Sequence, residues 1–160
     1  MGTRKTVGVL LAGCGHLDGA EIHEATLTLL MLDRAGAETR VFALDKPQLH
    51  VVDHRTGEVA EGESRNQLVE AARIARGRVA PLSTARADEL DALVLPGGFG
   101  AAKNLCSFAV QGRAMSVDPE VERLLRELHR ARKPMGFICI APVIAAKVLG
   151  VHRPQLTVGA

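Results

Sequence analysis

Four runs of mostly apolar residues divide the chain into strand-like segments. They lie at 6–12, 38–44, 91–95 and 134–138. Runs with little alternation between apolar and polar positions are typical of strands covered on both faces. The pattern therefore predicts a largely parallel sheet with helices between its strands.

Helical segments separate these strands. Their predicted bounds are 20–35, 65–76, 119–132 and 143–149. Asp18 and Glu21 form a capping box before the first helix. Ser64 and Asp118 take the N-cap positions of the second and third helices. The helix at 20–35 has a broad apolar surface, which favours a position between layers or against a partner subunit and makes a homodimer an expectation.

Residues 45–62 carry a weaker pattern. In it, 49–54 and 58–60 flank a turn at 55–57, which predicts a small hairpin. The order of elements is βαβ, then αβα, then βα, which predicts an α/β open sandwich with a mostly parallel sheet and helices on both faces. A chain of 160 residues with 47% hydrophobic content suits a single domain spanning 1–160.

Composition argues against several classes of partner. The net charge is +2, basic residues are scattered, and there are four Phe but no Trp or Tyr, which disfavours nucleic-acid binding. No apolar segment approaches the roughly 18–20 residues that span a bilayer, so no membrane association is expected. The first residues lead directly into a strand, which is not typical of a signal peptide. Three cysteines without a CxxC pair predict reduced thiols and a soluble cytoplasmic protein.

Candidate chemistry lies in three loops that follow predicted strands. They are 13–19, 96–104 and 139–140. In an open parallel sheet, ligands bind outside the carboxyl ends of the strands, so these loops are expected to meet. Each loop has a structural explanation by itself, as a tight turn or a strand end, and the prediction depends on their joint placement. The phosphate-loop motif is absent, and the six histidines lack metal-ligand spacing, so neither a nucleotide nor a metal is predicted.

Cys139 lies where the last strand turns into the last helix. This geometry is typical of a nucleophile elbow, and the positive end of the following helix favours a thiolate. A buried cysteine acting as a small hydrophobe is the alternative. The backbone N–H groups of Gly98 and Ile140 are placed to hold an oxyanion, and Gly97 lets the main chain approach a substrate closely.

Three motifs together resemble a known family. They are Gly13-Cys-Gly with Asp18-Gly and Glu21-Ile-His-Glu-Ala25, then Pro96-Gly-Gly-Phe-Gly-Ala-Ala-Lys-Asn-Leu105, then Cys139-Ile-Ala-Pro142. With these motifs the chain resembles, over almost its whole length, the PfpI-like branch of the class I glutamine amidotransferase-like superfamily. Within that branch it is similar to ElbB-type glyoxalases.

The resemblance implies a flavodoxin-like sandwich, commonly dimeric, in which a glutamate on the first helix contacts the nucleophile. It assigns that glutamate to Glu24, with Glu21 as the fallback. The implied substrate-binding and oxyanion-binding positions are Gly97, Gly98, Ile140, Cys14 and Asn104. Because two adjacent negative charges repel, the carboxyl group is expected to be protonated and to donate a hydrogen bond to the thiolate of Cys139.

The chain departs from the family pattern in two places. Amidotransferases proper have a histidine with an acidic partner beyond the elbow, whereas here only His152 follows Cys139. The ElbB pattern also continues for several tens of residues past Gly159. The C-terminal part of the family fold is therefore expected to be missing, which makes the domain a truncated one.

The leading hypothesis is a cofactor-independent glyoxalase that converts a small dicarbonyl, glyoxal, to a hydroxy acid through Cys139. In this scheme the thiolate adds to the aldehyde and Glu24 relays a proton. The alternatives are a redox or stress sensor, in which Cys139 is oxidised with Cys14 as resolving thiol, and a non-catalytic binding protein. Amidotransferase activity is least favoured because the sequence shows no base for it.

Overall fold

The sheet follows the predicted strands and adds one that was not predicted. A computed structural model describes residues 4–157. Its strands are β1 Thr6–Leu11, β2 Glu38–Ala43, β3 Val79–Pro81, β4 Ala92–Leu95 and β5 Met135–Phe137. Their order is β3-β2-β1-β4-β5, and every neighbouring pair is parallel. This architecture confirms the predicted flavodoxin-like α/β sandwich.

The helices confirm the four predicted segments, three of them with shorter bounds and the last beginning one residue earlier, and add two short ones. They are α1 Ile22–Arg34, α2 Gln67–Ala75, α3 Phe99–Lys103, α4 Phe108–Gln111, α5 Pro119–Arg130 and α6 Pro142–Leu149. The prediction of a loop over 96–104 is therefore wrong beyond Gly98, because α3 begins at Phe99 and directly follows the glycine pair.

The cap of α1 differs from the predicted capping box. Glu21 itself is the N-cap, and its carboxylate accepts a hydrogen bond of 2.7 Å from the N–H of Glu24. Asp18 is instead buried, and its Oδ2 accepts a hydrogen bond of 2.8 Å from the N–H of Val52. Asp18 thus anchors the hairpin segment to the loop after β1 rather than starting a helix.

The N-caps of α2 and α5 had different outcomes. The prediction of Ser64 is wrong, because Asn66 caps α2 and accepts from the N–H groups of Leu68 and Val69. The prediction for α5 is confirmed, since the side chain of Asp118 accepts from the N–H of Glu120. An amide side chain caps as well as a hydroxyl, so sequence alone does not separate nearby candidates.

Two apolar cores lie on the two faces of the sheet. Leu10 of β1 belongs to the larger core, which contains the leucines of α5 and residues of α6. Val9 and Leu11 belong to the smaller core, together with Ala25 of α1 and Ala71 of α2. The central strand is therefore buried on both faces, as its unbroken apolar run predicted.

Helix α1 is less covered than its apolar surface predicted. Ala25 is its fully buried position, whereas Ile22, Leu27, Leu30 and Met31 are exposed. The interpretation of α1 as a helix between layers is therefore wrong for its outer side, which is open in this chain.

The small hairpin is confirmed. Val52 and Val59 form an antiparallel bridge, and the N–H of Asp53 donates to the carbonyl of Glu58 at 2.9 Å. The hairpin lies against the loop after β1 through the contact with Asp18.

Candidate active site

The loops after β1, β4 and β5 meet at the carboxyl edge of the sheet, as predicted. The N–H of Glu21 donates to the carbonyl of Gly97 at 2.9 Å, and the N–H of Gly100 donates to the carbonyl of Gly19 at 2.8 Å. The N–H of Ile138 donates to the carbonyl of Leu95 at 3.0 Å. Backbone hydrogen bonds therefore fix the three loops relative to one another.

Cys139 lies at a tight turn between β5 and α6. Its φ is 57°, which is the left-handed region, and it is exposed. Non-glycine residues in this region are costly and occur often at functional sites. The alternative of a buried, inert cysteine therefore fails for Cys139.

Glu24 lies beside Cys139, and Gly97 lies between them. Oε2 of Glu24 accepts a hydrogen bond of 2.7 Å from the N–H of Gly97. A Cβ atom added to Gly97 would lie 2.5 Å from Cβ of Cys139 and 2.8 Å from Oε2 of Glu24. Cβ of Cys139 and Oε2 of Glu24 therefore both lie against Gly97, with no room for a side chain between them. Within residues 4–157 no hydrogen bond joins the two side chains directly.

Glu21 has a different environment from Glu24. Its carboxylate accepts from the N–H of Glu24 and contacts Nδ1 of His23 at 3.1 Å. Partial burial by itself raises the pKa of Glu21, but these hydrogen bonds prevail and hold its pKa below the usual value. Glu21 therefore stays ionised as a helix cap, and Glu24 is the acid nearest Cys139.

The two predicted oxyanion donors lie on either side of this pair. Gly98 follows Gly97, is buried and has a φ of 90°. Ile140 follows Cys139 on the other loop. In the described part of the chain, neither the N–H of Gly98 nor that of Ile140 donates a hydrogen bond to the protein. The two N–H groups thus have no protein acceptor in this part of the chain, and their role as oxyanion donors stays a prediction.

Asn104 makes hydrogen bonds within the scaffold, and its predicted contact with substrate stays a prediction. Its Nδ2 donates to the carbonyls of Ala12 and Asp18 at 3.0 and 2.8 Å, and its Oδ1 accepts from the N–H of Leu49 at 3.0 Å. Because both amide hydrogens are used, Asn104 holds the loop after β1 against α3. The side-chain amide of Asn104 therefore has a structural role, in which it joins three backbone segments.

Cys14 belongs to a different environment from Cys139. Burial raises the pKa of the Cys14 thiol, and the negative charge of Glu70 raises it further. Glu70 is buried on α2 and pairs with Arg73 at 3.0 Å. Charged residues of α2, Glu70 and Arg73, therefore influence the Cys14 thiol, and a role for Cys14 at the site stays a prediction.

Sequence reasoning missed the contacts of Asp18 and His54. Oδ1 of Asp18 is buried without a hydrogen-bond partner in the described residues and lies 3.8 Å from Nε2 of His54. Nε2 of His54, an exposed residue, accepts from the N–H of Leu17 at 3.2 Å. No sequence signal pairs residues so far apart along the chain.

Residues 4–157 hold neither a cluster of metal ligands nor a membrane-spanning helix. They contain no cluster of three or more His, Cys, Asp or Glu side chains arranged to hold a metal ion. No helix among them has the length and hydropathy needed to cross a bilayer.

Comparison with known proteins identifies relatives of this chain. No protein-family model matches it. It is 56% identical over 153 residues to the human protein named glutamine amidotransferase-like class 1 domain-containing protein 3, mitochondrial. The match covers 96% of this chain and 56% of the human protein, so the chain spans little more than half the length of that relative. The human protein's name says mitochondrial, and the cytoplasmic location expected for this chain stays a prediction.

Solved structures give the family and the fold. An isoprenoid biosynthesis protein with amidotransferase-like domain from Ehrlichia chaffeensis matches with a TM-score of 0.85 and 45% identity, covering 90% of this chain and 68% of that one. A ThiJ/PfpI domain protein from Brachyspira murdochii shares the fold, with a TM-score of 0.53, 17% identity, and coverage of 92% and 65%. On the strength of the Ehrlichia match and the human relative, this chain belongs to the class I glutamine amidotransferase-like family.

Proposed function

We propose that this chain carries the active site of a cofactor-independent glyoxalase of the ElbB type, which converts glyoxal to glycolate. The observation that supports this most is the placement of an exposed thiol, Cys139, across Gly97 from the carboxyl group of Glu24. A nucleophile beside a proton-transfer group is what an internal redox rearrangement of a dicarbonyl requires.

The first step is addition of Cys139 to the substrate. The thiolate attacks one aldehyde carbon, a C–S bond forms, and the carbonyl π electrons move to the oxygen. The N–H groups of Gly98 and Ile140 stabilise this oxygen, which then takes the proton of the Glu24 carboxyl group to give a hemithioacetal and leaves Glu24 as the carboxylate.

The second step is a proton transfer through Glu24. As carboxylate, Glu24 removes the hydrogen from the carbon bonded to sulfur, which gives an enediol, and returns a proton to the neighbouring carbon. The first carbon is thereby oxidised to a thioester and the second is reduced to an alcohol, so no external oxidant or reductant is needed. Water then attacks the thioester, the C–S bond breaks, and glycolate and the Cys139 thiolate are released.

The test is glyoxal turnover by Cys139→Ala against the parent chain. We expect loss of glycolate formation to the buffer rate, because the covalent intermediate cannot form. Cys106→Ala is the matched control, since Cys106 is buried and its Sγ donates to the carbonyl of Ala101. Equal turnover by Cys139→Ala and the parent would refute the proposal.

The variant Glu24→Gln distinguishes a role of Glu24 in proton transfer from a purely structural role. The glutamine oxygen can still accept from the N–H of Gly97 but cannot carry the proton, so we expect kcat to fall by roughly 10²–10⁴-fold with the fold intact. If Glu24→Gln formed glycolate at the parent rate, Glu24 would have no role in the mechanism.

A redox-sensing role is the second candidate, and the exposure of Cys139 favours it. Mild peroxide would then oxidise Cys139 selectively, which peptide mass spectrometry detects, without any turnover of dicarbonyls. Cys14 is disfavoured as a resolving thiol, because burial raises its pKa and it lies towards α2.

A further inference from the structure

The ring of His54 links the hairpin to the loop after β1, and its two hydrogen bonds fix one neutral tautomer. Nε2 accepts a hydrogen bond of 3.2 Å from the N–H of Leu17, so this nitrogen carries no hydrogen. Nδ1 lies 3.0 Å from the carbonyl oxygen of Val52, so the single hydrogen of the neutral imidazole is on Nδ1 and is donated to that oxygen. The form of His54 that makes both bonds is therefore the neutral one.

The carboxyl group of Asp18 offers Nε2 of His54 a second partner. Oδ2 of Asp18 accepts from the N–H of Val52, whereas Oδ1 has no hydrogen-bond partner among the described residues, although Asp18 is only 2% exposed. Oδ1 lies 3.8 Å from Nε2. Both atoms lie against Gly15, since a Cβ added there would be 2.7 Å from each of them. A buried carboxylate oxygen without a donor is costly, and a proton on Nε2 would supply the donor.

We propose that His54 is a pH-dependent switch that changes how the hairpin holds the loop after β1. Neutral His54 holds the loop through the N–H of Leu17. When a proton from solution binds to Nε2, this nitrogen becomes a donor, the hydrogen bond from Leu17 breaks, and Nε2 donates to Oδ1 of Asp18 instead. Histidine side chains in general gain or lose this proton between about pH 5 and 8.

The charges near His54 favour this exchange of partners. Among the described residues, Asp18 is the carboxylate that contacts the ring nitrogens, and its burial limits the screening of their attraction by water. The ring of His16 lies 5.0 Å from that of His54, so a proton on one opposes a proton on the other. The titratable and charged groups nearby lie on the loop after β1, on the hairpin and on α3: Asp18, His16, Asp53, Arg55, Glu58 and Lys103.

The loop connects the switch to the candidate active site. The carbonyl of His16 accepts a hydrogen bond of 2.7 Å from the N–H of Phe99. The carbonyl of Leu17 accepts one of 3.0 Å from Nζ of Lys103. Phe99 directly follows Gly98, whose N–H is a predicted oxyanion donor. Loss of the hydrogen bond between Leu17 and His54 therefore loosens the segment against which Gly98 is held.

The first test follows the N–H of Leu17 by NMR in the 160-residue chain, at about pH 7.5 and about pH 5.5. We expect its chemical shift to titrate with the same midpoint as Cε1–H of His54. Its protection from hydrogen exchange, relative to the intrinsic exchange rate at each pH, should fall by roughly 3–10-fold at the lower pH, because one hydrogen bond is lost. No dicarbonyl turnover is needed for this measurement.

His54→Gln is the variant that holds the switch in one state. Its carboxamide oxygen can accept from the N–H of Leu17 at either pH but takes up no proton, so the protection of Leu17 should stay constant. His152→Gln is the matched control, since His152 is exposed and stacks on His129, and it should behave as the parent does. A pH-independent Leu17 amide in the parent, or the same pH response in His54→Gln, would overturn the inference.

Asp18→Asn tests the second partner. It keeps an oxygen for the N–H of Val52 but removes the negative charge that attracts protonated His54. We expect the midpoint of the His54 titration to move to lower pH, and the loss of Leu17 protection to move with it. A midpoint equal to that of the parent would exclude Asp18 as the partner of protonated His54.

A second measurement tests the connection to Gly98, a step that rests on the proposed function. Glyoxal turnover by the parent and by His54→Gln should agree at about pH 7.5, and at about pH 5.5 the parent should be roughly 3–10-fold lower in kcat/KM than the variant. Parallel pH profiles would overturn the connection to Gly98. If the NMR response occurs without turnover at either pH, the switch is supported and only the proposed function fails.

Discussion

Cys139 has a strained backbone conformation and packs closely against Gly97. Its left-handed φ of 57° costs on the order of 1–2 kcal/mol for a non-glycine residue. The fold sustains this conformation because Ile138 continues the pairing with Leu95 on one side and α6 begins at Pro142 on the other. The strain turns the thiol outward at the edge of the sheet instead of into the core.

Gly97 gives a test of this packing. A Cβ at this position would lie 2.5 Å from Cβ of Cys139, so Gly97→Ala must displace the elbow or the carboxyl group of Glu24. We expect it to reduce dicarbonyl turnover by at least about 10²-fold, because small misplacements of reacting groups are costly. The measurement is glycolate formation at saturating glyoxal.

Gly136→Ala is the control for that substitution. A Cβ there would meet the nearest side-chain atom, on Val94, at 3.6 Å, which is ordinary contact. It should keep most of the activity. If Gly97→Ala were as active as Gly136→Ala, the close approach of Cys139 and Glu24 would not matter for the reaction.

The sequence predicted the positions of some site residues but not their contacts. The position of Cys139 between a strand and a helix was readable from the pattern, and so was the presence of a glutamate on α1. The family resemblance preferred Glu24 to Glu21, and a capping role for Glu21 was readable from the sequence, but only the fold shows that Glu24 accepts from the N–H of Gly97 beside Cys139. The motif also gave no sign that Asn104 bonds to the carbonyls of Ala12 and Asp18, because these partners are distant in the chain.

At the scale of elements, the residue that caps α5 also connects this helix to another segment. Asp118 caps α5 through Oδ1, and its Oδ2 pairs with Nζ of Lys46 at 2.6 Å. The hydrogen bond that Lys46 donates to Asp118 raises the pKa of Lys46. One carboxylate thus starts α5 and links it to the segment after β2.

Asp118→Ala is expected to lower the free energy of unfolding by about 1–2 kcal/mol, because the N-cap is lost. Asp118→Asn keeps a capping oxygen and loses the charge pair, so its cost should stay below about 1 kcal/mol, as for other partly exposed pairs. Urea unfolding of the two variants measures the difference. Equal losses in both would mean that the pair with Lys46, not the cap, dominates.

Short elements escaped the sequence pattern for a physical reason. β3 has three residues and ends in Pro81, which cannot donate to a strand on its far side. Proline is tolerated there because β3 is an edge strand, and the sheet order that makes it an edge is a tertiary property. The helix α3 was hidden in the same way, because the glycines before it suggested a longer loop.

At the scale of the whole molecule, the carboxylate of Asp91 links two neighbouring strands at the amino end of the sheet. Oδ2 of Asp91 accepts from the N–H of Thr6 at 2.8 Å, and Oδ1 pairs with Lys5 at 2.9 Å. The hydrogen bond from Thr6, and then the contact with Lys5, lower the pKa of Asp91. This carboxylate therefore joins the starts of β1 and β4 in the ionised state.

The pH dependence of stability should reflect that contact. Because the pKa of Asp91 is lower in the folded chain than in the unfolded chain, its contribution is complete above the usual carboxyl pKa of about 4 and is lost as pH falls through the folded value. We expect the parent to be more stable than Asp91→Asn near about pH 7, and the difference to shrink near about pH 3. Urea midpoints at both values measure it, and a difference independent of pH would contradict the assignment.

The sequence by itself determined most of the strands and the longer helices, that the central strand is buried on both faces, and that a cysteine follows the last strand, because these depend on local periodicity and chain order. Only the tertiary structure decided that Cys139 is exposed, that Glu24 rather than Glu21 lies across Gly97 from it, that Asp18 is buried against the hairpin, and that the outer side of α1 is open. These features depend on contacts between residues distant in the chain, and hydrophobic pattern carries no information about such contacts.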